Sequence, residues 1–233
     1  MKFLKWLLGF AAILAVAVLV LPRLLYPSAT VNFRLTYEVD TPEGVKTGSG
    51  VWAATYEMLN GYIGWQFWAS TEGEAIPVDF GSRGTLYAIL SSTKYPAGDG
   101  FVSLLIDAFG VRKIIGKHER QSIYNFAAIS GRRDLSDGSF DDLLPKMVRF
   151  GDEKDPKTVE AVEPHNLAAS FGAGVRLAHV TLETTKEPVT RGIEKRLGWL
   201  SRYPEPSLLP NSDPRNPPFA ALIHHGNFRR ITQ

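Results

Sequence analysis

The sequence predicts an α+β protein, in which an N-terminal transmembrane or signal helix precedes one domain with an antiparallel β-sheet and short helices. Three observations support this fold class. Residues 6–21 carry no charge, residues 31–40 alternate between apolar and polar side chains, and the chain after Gly100 contains longer apolar runs. We therefore divide the chain into a membrane or signal segment (1–29), a single domain (30–203) and a proline-rich strap or tail (204–233).

The N-terminal apolar segment allows two interpretations. As a helix it would span about 24 Å, which is shorter than the ~30 Å hydrocarbon core but longer than most signal-peptide apolar regions. Pro27 lies at the −3 position of the best cleavage site, which ends at Ala29, and signal peptidase prefers a small residue there. We therefore predict a retained membrane anchor, with a cleaved signal as the alternative. The anchor residues are Trp6, Leu7, Leu8, Ile13, Leu14, Val16, Val18, Leu19, Val20 and Leu21.

The charges beside this segment predict its orientation. Lys2 and Lys5 precede the apolar run, whereas only Arg23 closely follows it. The positive-inside rule then places the N-terminus in the cytoplasm and the rest of the chain on the other side of the membrane.

The first part of the body predicts a β-hairpin followed by more strands. VNFRLTYEVD (31–40) has period two, TPEG supplies turn residues, and VKTGSGVWAATY is typical of the returning strand. YIGWQFWAS, AIPVDF and TLYAILSS follow, separated by the glycine-containing turns TEGE and GSRG. A spacing of about 8–12 residues favours an antiparallel meander.

Mixed elements are predicted after Gly100. DGFVSLLIDAFG and RQSIYNFAAIS suit either helix or buried strand, and TRGIEKRLGWL predicts a short helix. DPKTVEAVEPHNLAASFG predicts two short helices, with Asp155 as an N-cap and Gly172 as a stop. GVRLAHVTLETT has strand composition, but its apolar residues change parity, which predicts a bulge near Leu177–Ala178.

Composition excludes several classes of function. The chain has no cysteine, which excludes disulfides, thiol catalysis and thiolate metal sites. Its net charge of +2 comes from the first 29 residues, which hold three basic residues and no acid. The rest of the chain is nearly neutral and has no long basic run, so we predict no nucleic-acid partner.

Known catalytic motifs are not matched. Ser49 in TGSGV lacks the spacing of a nucleophile elbow. GVRKIIGKH has one residue too many for a phosphate loop, and it places His118 where a hydroxyl is needed. The five histidines include no i, i+4 pair of the kind that binds zinc on a helix. We therefore predict no catalytic residue, cofactor or metal site.

A cluster of aromatic residues is the most distinctive feature of the body. Trp52, Trp65 and Trp68 lie within seventeen residues, and on one strand Trp65 and Trp68 would point to opposite faces. Some of these rings therefore face away from the core of the first sheet. They either pack against a second layer or form a surface that binds a ligand, a protein or the nearby membrane. We treat the three tryptophans as a candidate aromatic binding surface.

Two longer stretches carry a resemblance to a known family. YPSATVNFRLTYEVDTPEGVKTGSGV and LLPKMVRFGDEKDPKTVEAVEPHNLAASFGAGVRLAHVTLETTKEPVTRGIEKRLGWL resemble a family of uncharacterised proteobacterial proteins that carries no established activity. The resemblance implies a bacterial envelope protein with a single continuous domain. The expected location is the inner membrane with a periplasmic domain, or the soluble periplasm or the exterior after cleavage.

These observations lead to three hypotheses about function. The first is a non-enzymatic binding or accessory module, attached to the membrane by its N-terminal helix and recognising an envelope protein or a small ligand. The alternative is a periplasmic hydrolase-like enzyme whose carboxylates or histidines come together in the fold. A weaker alternative is a prophage-derived or membrane-perturbing envelope protein.

Overall fold

The computed structural model describes residues 27–61, 64–96, 100–115, 120–201, 207–210 and 212–231. These residues form antiparallel sheets and short helices, which is the predicted α+β class. The strands are β1 (Ser28–Asp40), β2 (Lys46–Gly61), β3 (Gly64–Glu74), β4 (Ile76–Asp79), β5 (Thr85–Ser92), β6 (Arg132–Asp134), β7 (Pro145–Phe150), β8 (Val159–Val162), β9 (Arg176–Thr184) and β10 (Arg229–Arg230).

Helices are short throughout the described residues. The α-helices are α1 (Phe101–Ala108), α2 (Arg112–Ile115), α3 (Arg120–Ala127), α4 (Leu167–Phe171), α5 (Phe219–Leu222) and α6 (His225–Phe228). Single 3₁₀ turns occupy Gly81–Arg83, Pro156–Thr158, Pro164–Asn166, Ile193–Lys195 and Gly198–Ser201.

The first sheet is built on the predicted hairpin. Its strand order is β10-β3-β2-β1-β9-β6, and the second sheet has the order β4-β5-β7-β8. The hairpin turn is closed by two backbone hydrogen bonds between Thr41 and Gly44. Every second residue of β1 from Val31 to Val39 is buried, so the alternation in the sequence correctly predicted which face meets the core.

The predicted meander is wrong after its third strand. β3 pairs with β2, but the chain then passes through Ala75 into β4, which belongs to the second sheet. β4 crosses close to β2 because the glycines of TGSGV carry no side chain. A Cβ added to Gly48 would lie 2.3 Å from the Pro77 carbonyl oxygen, and one added to Gly50 would lie 2.8 Å from Ile76 Cγ1. These glycines therefore serve a close approach of backbones.

Strand β5 of the second sheet is buried on both of its faces. Leu86, Ala88 and Leu90 of β5 join the main core, which the two sheets share with helices α1 to α4. Tyr87 and Ile89 point to the other face and join a second core. The C-terminal segment, defined here as residues 193–201 and 207–230, covers that second core. It contributes the buried side chains Ile193, Leu197, Leu200, Leu208, Ala220, Ile223 and Phe228.

The structure tests several predictions for the elements after Gly100. The two ambiguous apolar runs form helices α1 and α3. β9 contains the predicted bulge, because Glu38 pairs with His179 while Val39 pairs with Leu177, which leaves Ala178 unmatched. Asp155 caps its turn by accepting a hydrogen bond from the Lys157 N–H at 3.0 Å.

Two helix predictions need correction. The stretch from Asp155 to Gly172 was predicted as two short helices, but strand β8 lies between its helical turns. The edge of β7 offers unpaired backbone groups to residues 159–162, and this pairing outweighs their helical preference. TRGIEKRLGWL forms two separate 3₁₀ turns instead of one helix.

The predicted N-terminal helix lies outside the described residues, together with all of its anchor residues from Trp6 to Leu21. Among the helices that the structure does describe, none has the length and apolar character needed to cross a membrane.

Candidate functional site

The outer face of the first sheet exposes an aromatic side chain close to the start of the described chain. Trp68 is 61% exposed on β3 and pairs with Glu57 of β2, which in turn pairs with Ser28 of β1. One step along the same face, the hydroxyls of Thr30 and Thr55 are hydrogen bonded at 2.8 Å. Trp68 therefore lies two strands, about 10 Å, from Ser28, the first residue of β1.

The three tryptophans of the predicted surface have different positions. Trp52 is fully buried, and its ring centroid lies 4.8 Å from that of Phe101. Its indole N–H donates to the Glu74 carbonyl oxygen at 2.7 Å, so Trp52 packs in the core and presents no surface. Trp65 pairs with Asn60 through the backbone of β3, and its side chain lies outside the described part. Trp68 alone is seen to face solvent among the three.

Helix α3 covers the inner face of the sheet at the same end. The rings of Tyr56 and Phe67 are stacked 5.0 Å apart, and Phe126 of α3 lies 5.6 Å from Tyr56. Tyr56 pairs with Ala29, which places α3 beside the beginning of β1. On the same helix, the Tyr124 side chain is 56% exposed.

Helix α2 adds a second exposed apolar residue and several cations. Ile114 is 54% exposed, and its carbonyl oxygen accepts a hydrogen bond of 2.9 Å from the Asn125 side chain. Lys113 of this helix is also exposed, and so is Arg120 at the start of α3. Within the described residues, neither of these two cations forms a salt bridge, whereas Arg112 pairs with Asp107. The sequence does signal this region, because RKIIGKHERQSIY combines basic and apolar residues, although neither the phosphate-loop test nor the helix-or-strand prediction identifies it as a surface.

Pairs of acids and histidines occur elsewhere on the surface. His165 Nε2 lies 2.7 Å from Asp141 Oδ2, and His179 Nδ1 lies 2.9 Å from Asp134 Oδ2. All four side chains are roughly half exposed or more. Across the described ranges, no group of three or more His, Cys, Asp or Glu side chains is placed to hold a metal ion.

A partly buried polar network joins the C-terminal segment to the second sheet. The Arg196 guanidinium donates to Glu153 and to Asp79, each at 3.1 Å, and also to the Thr85 hydroxyl. The Tyr87 hydroxyl donates to Glu153 at 2.6 Å. Burial, reinforced by this hydrogen bond, raises the pKa of Tyr87 above its usual value. Tyr87 therefore stays protonated and acts as a donor, which suits a structural link better than a catalytic base.

This network predicts a dependence of stability on acid. The Gly81 N–H donates to Asp79, and this bond, helped by Arg196 and opposed by partial burial, lowers the pKa of Asp79. A carboxylate with a lowered pKa stabilises the fold above the unfolded pKa, and this contribution is lost as the pH falls through the folded pKa.

We therefore expect Asp79→Asn to remove part of the loss of stability that the wild type shows between about pH 5 and pH 2. Urea unfolding at a series of pH values measures this slope. An unchanged slope would contradict the role of Asp79. Because the side chain is 56% exposed, the expected difference is small.

Comparisons with known proteins add no relative: no family model matches the chain, and neither the curated proteins nor the solved structures give a significant match.

Proposed function

We propose that this chain is an envelope protein attached to the bacterial inner membrane by its N-terminal segment, with a periplasmic body that acts as a non-enzymatic binding or accessory module. One observation carries the proposal. Strand β1 begins at Ser28, and the Pro27 carbonyl oxygen already accepts a hydrogen bond of 3.0 Å from the Met58 N–H. Only residues 22–26 therefore separate the uncharged run 6–21 from the first residue that is hydrogen bonded into the sheet.

This junction would give an attached body a defined orientation. β1 lies inside the first sheet, with β2 on one side and β9 on the other. A helix that ended near residue 26 would lead directly into this hydrogen-bonded strand, since one residue spans only about 3.3–3.6 Å. The body would then be held against the bilayer and present the same surfaces outward at all times. Such fixed presentation suits a binding module.

Fractionation of expressing cells tests the attachment. We expect the protein in the membrane pellet after a carbonate wash, with an intact mass that includes residues 1–26. A variant with Leu14→Arg and Val18→Arg should move to the soluble fraction, because each charge at the centre of a membrane helix costs about 2.5–3.5 kcal/mol. A soluble wild-type protein that begins near Thr30 would overturn the proposal.

A further inference from the structure

The hairpin of β2 and β3 extends beyond the start of β1. Ser28 pairs with Glu57, and β2 continues from there to Gly61 before β3 returns from Gly64. Because β1 and β2 are antiparallel, residues 58–61 of β2 extend beyond Ser28, and the Met58 N–H donates to the Pro27 carbonyl oxygen. The end of this hairpin therefore projects past Pro27, the first described residue of the chain.

The residues of this hairpin end have an unusual composition. Residues 58–71 include no Asp, Glu, Lys or Arg. This is unusual because the outer face of β2 and β3 is exposed to solvent at Trp68. The turn at the other end of β2 has Glu43 and Lys46 within a few residues. Tryptophan is enriched at the interface between membrane and water. A protein segment without charged side chains can contact this interface without removing water from a charged group.

The exposed apolar residues cluster at the same end. The described part contains five large apolar side chains that are more than half exposed, namely Val45, Trp68, Ile114, Tyr124 and Leu222. Trp68 lies on the outer side of the sheet near Ser28, whereas Tyr124 and Ile114 belong to the helices that cover its inner side. Three of the five therefore belong to elements that pack around the start of β1.

Positive charge accompanies the apolar residues on the inner side. Lys113 is adjacent to Ile114 in α2, and Arg120 lies one helical turn before Tyr124 in α3. A surface that combines exposed apolar groups with lysine and arginine binds anionic lipid, because burial of the apolar groups adds to the attraction between opposite charges.

From these positions we propose that the body makes a second contact with the membrane. Trp68 on one side of the first sheet, and Ile114, Tyr124, Lys113 and Arg120 on the other, rest on the surface of an anionic bilayer. We call these five residues the bilayer-facing patch. The inference rests on the proposed attachment through residues 1–26, which brings this end of the sheet to the membrane.

Site-specific labelling tests the contact, and the absence of native cysteine makes each label unique. The full chain is reconstituted into vesicles of phosphatidylethanolamine and phosphatidylglycerol, with a nitrobenzoxadiazole dye on Trp68→Cys or Tyr124→Cys. Val45→Cys is the matched control, because Val45 and Trp68 are both 61% exposed. Val45 immediately precedes β2 and lies twelve residues, about 40 Å, from Glu57.

Quenching by lipids that carry a nitroxide near the headgroup should be several-fold stronger at positions 68 and 124 than at position 45. Phosphatidylcholine vesicles, or the pair Lys113→Glu and Arg120→Glu, should weaken the quenching at position 124. Equal quenching at all three positions, in protein that floats with the vesicles, would overturn the bilayer contact and leave the attachment intact.

Protein that does not float would overturn the attachment itself. A change in dye emission that depends on protein concentration in detergent would assign the patch to a second copy and also overturn the contact.

Discussion

Replacing Trp52 with alanine is expected to lower the free energy of unfolding by about 3–5 kcal/mol, since this is the usual cost of removing a buried aromatic side chain. Trp52 is fully buried between Phe33 and Phe101, with ring centroids at 6.2 and 4.8 Å. It also lies against Gly73, where an added Cβ would come within 2.4 Å of the indole Cδ1. The alanine variant leaves a cavity, and it removes the donor that satisfies the Glu74 carbonyl oxygen.

Trp68→Ala is the matched control for this change. It removes the same residue type from the same sheet, but the side chain is exposed, so the free energy of unfolding should change by no more than about 0.5 kcal/mol. Both variants are compared with the wild type by urea unfolding in one detergent, followed by circular dichroism. Equal losses of stability would contradict the division of the tryptophans into one core residue and one surface residue.

Glu74→Ala is expected to lower the free energy of unfolding by about 2–3 kcal/mol and to loosen the C-terminal segment. The Glu74 side chain is buried, and its carboxylate accepts a hydrogen bond of 2.8 Å from the Ile193 N–H. The other carboxylate oxygen lies 3.6 Å from Arg229 Nε. Glu74 thus accepts a hydrogen bond from the beginning of the C-terminal segment and forms an ion pair with Arg229 near its end, and its loss leaves a buried N–H without an acceptor.

Hydrogen exchange measured by mass spectrometry shows where this loss acts. Exchange in residues 193–201 and 219–230 should accelerate in Glu74→Ala more than in β1 and β2. Glu74→Gln keeps an acceptor for Ile193, so it should restore protection near residue 193 but not near Arg229. Glu72→Ala, two residues away, removes an ion pair with Arg191 and should cost no more than about 1 kcal/mol. Uniform acceleration across the whole chain in Glu74→Ala would contradict the local role.

Local signals in the sequence predicted many of the elements correctly. The alternation of residues 31–40 identified the buried face of β1, because successive side chains of a strand point to opposite sides. The parity change in β9 predicted its bulge, and Asp155 and Gly172 mark a cap and a stop. Each of these signals depends on neighbouring residues only.

The residues of the candidate site were harder to predict from the sequence. Trp52 and Trp68 have similar surroundings in the sequence, yet one is a core residue and the other is exposed. The two rings lie on opposite faces of the first sheet, and helix α1 brings Phe101, about fifty residues along the chain, onto the face of Trp52. The exposed residues of α2 and α3 were missed, since nothing local shows that α3 packs beside Tyr56 at the start of β1.

By itself, the sequence determined the α+β class, the first hairpin, the absence of thiol chemistry and the apolar character of residues 6–21. The tertiary structure decided that β4 leaves the first sheet, that the C-terminal segment covers the second, and that Ser28, Glu57 and Trp68 lie side by side. Periodicity, turns and caps act within a few residues, so they can be seen in the sequence. The position of one element on another depends on contacts between residues far apart in the chain, such as Glu74 with Ile193, and these form only in the folded state.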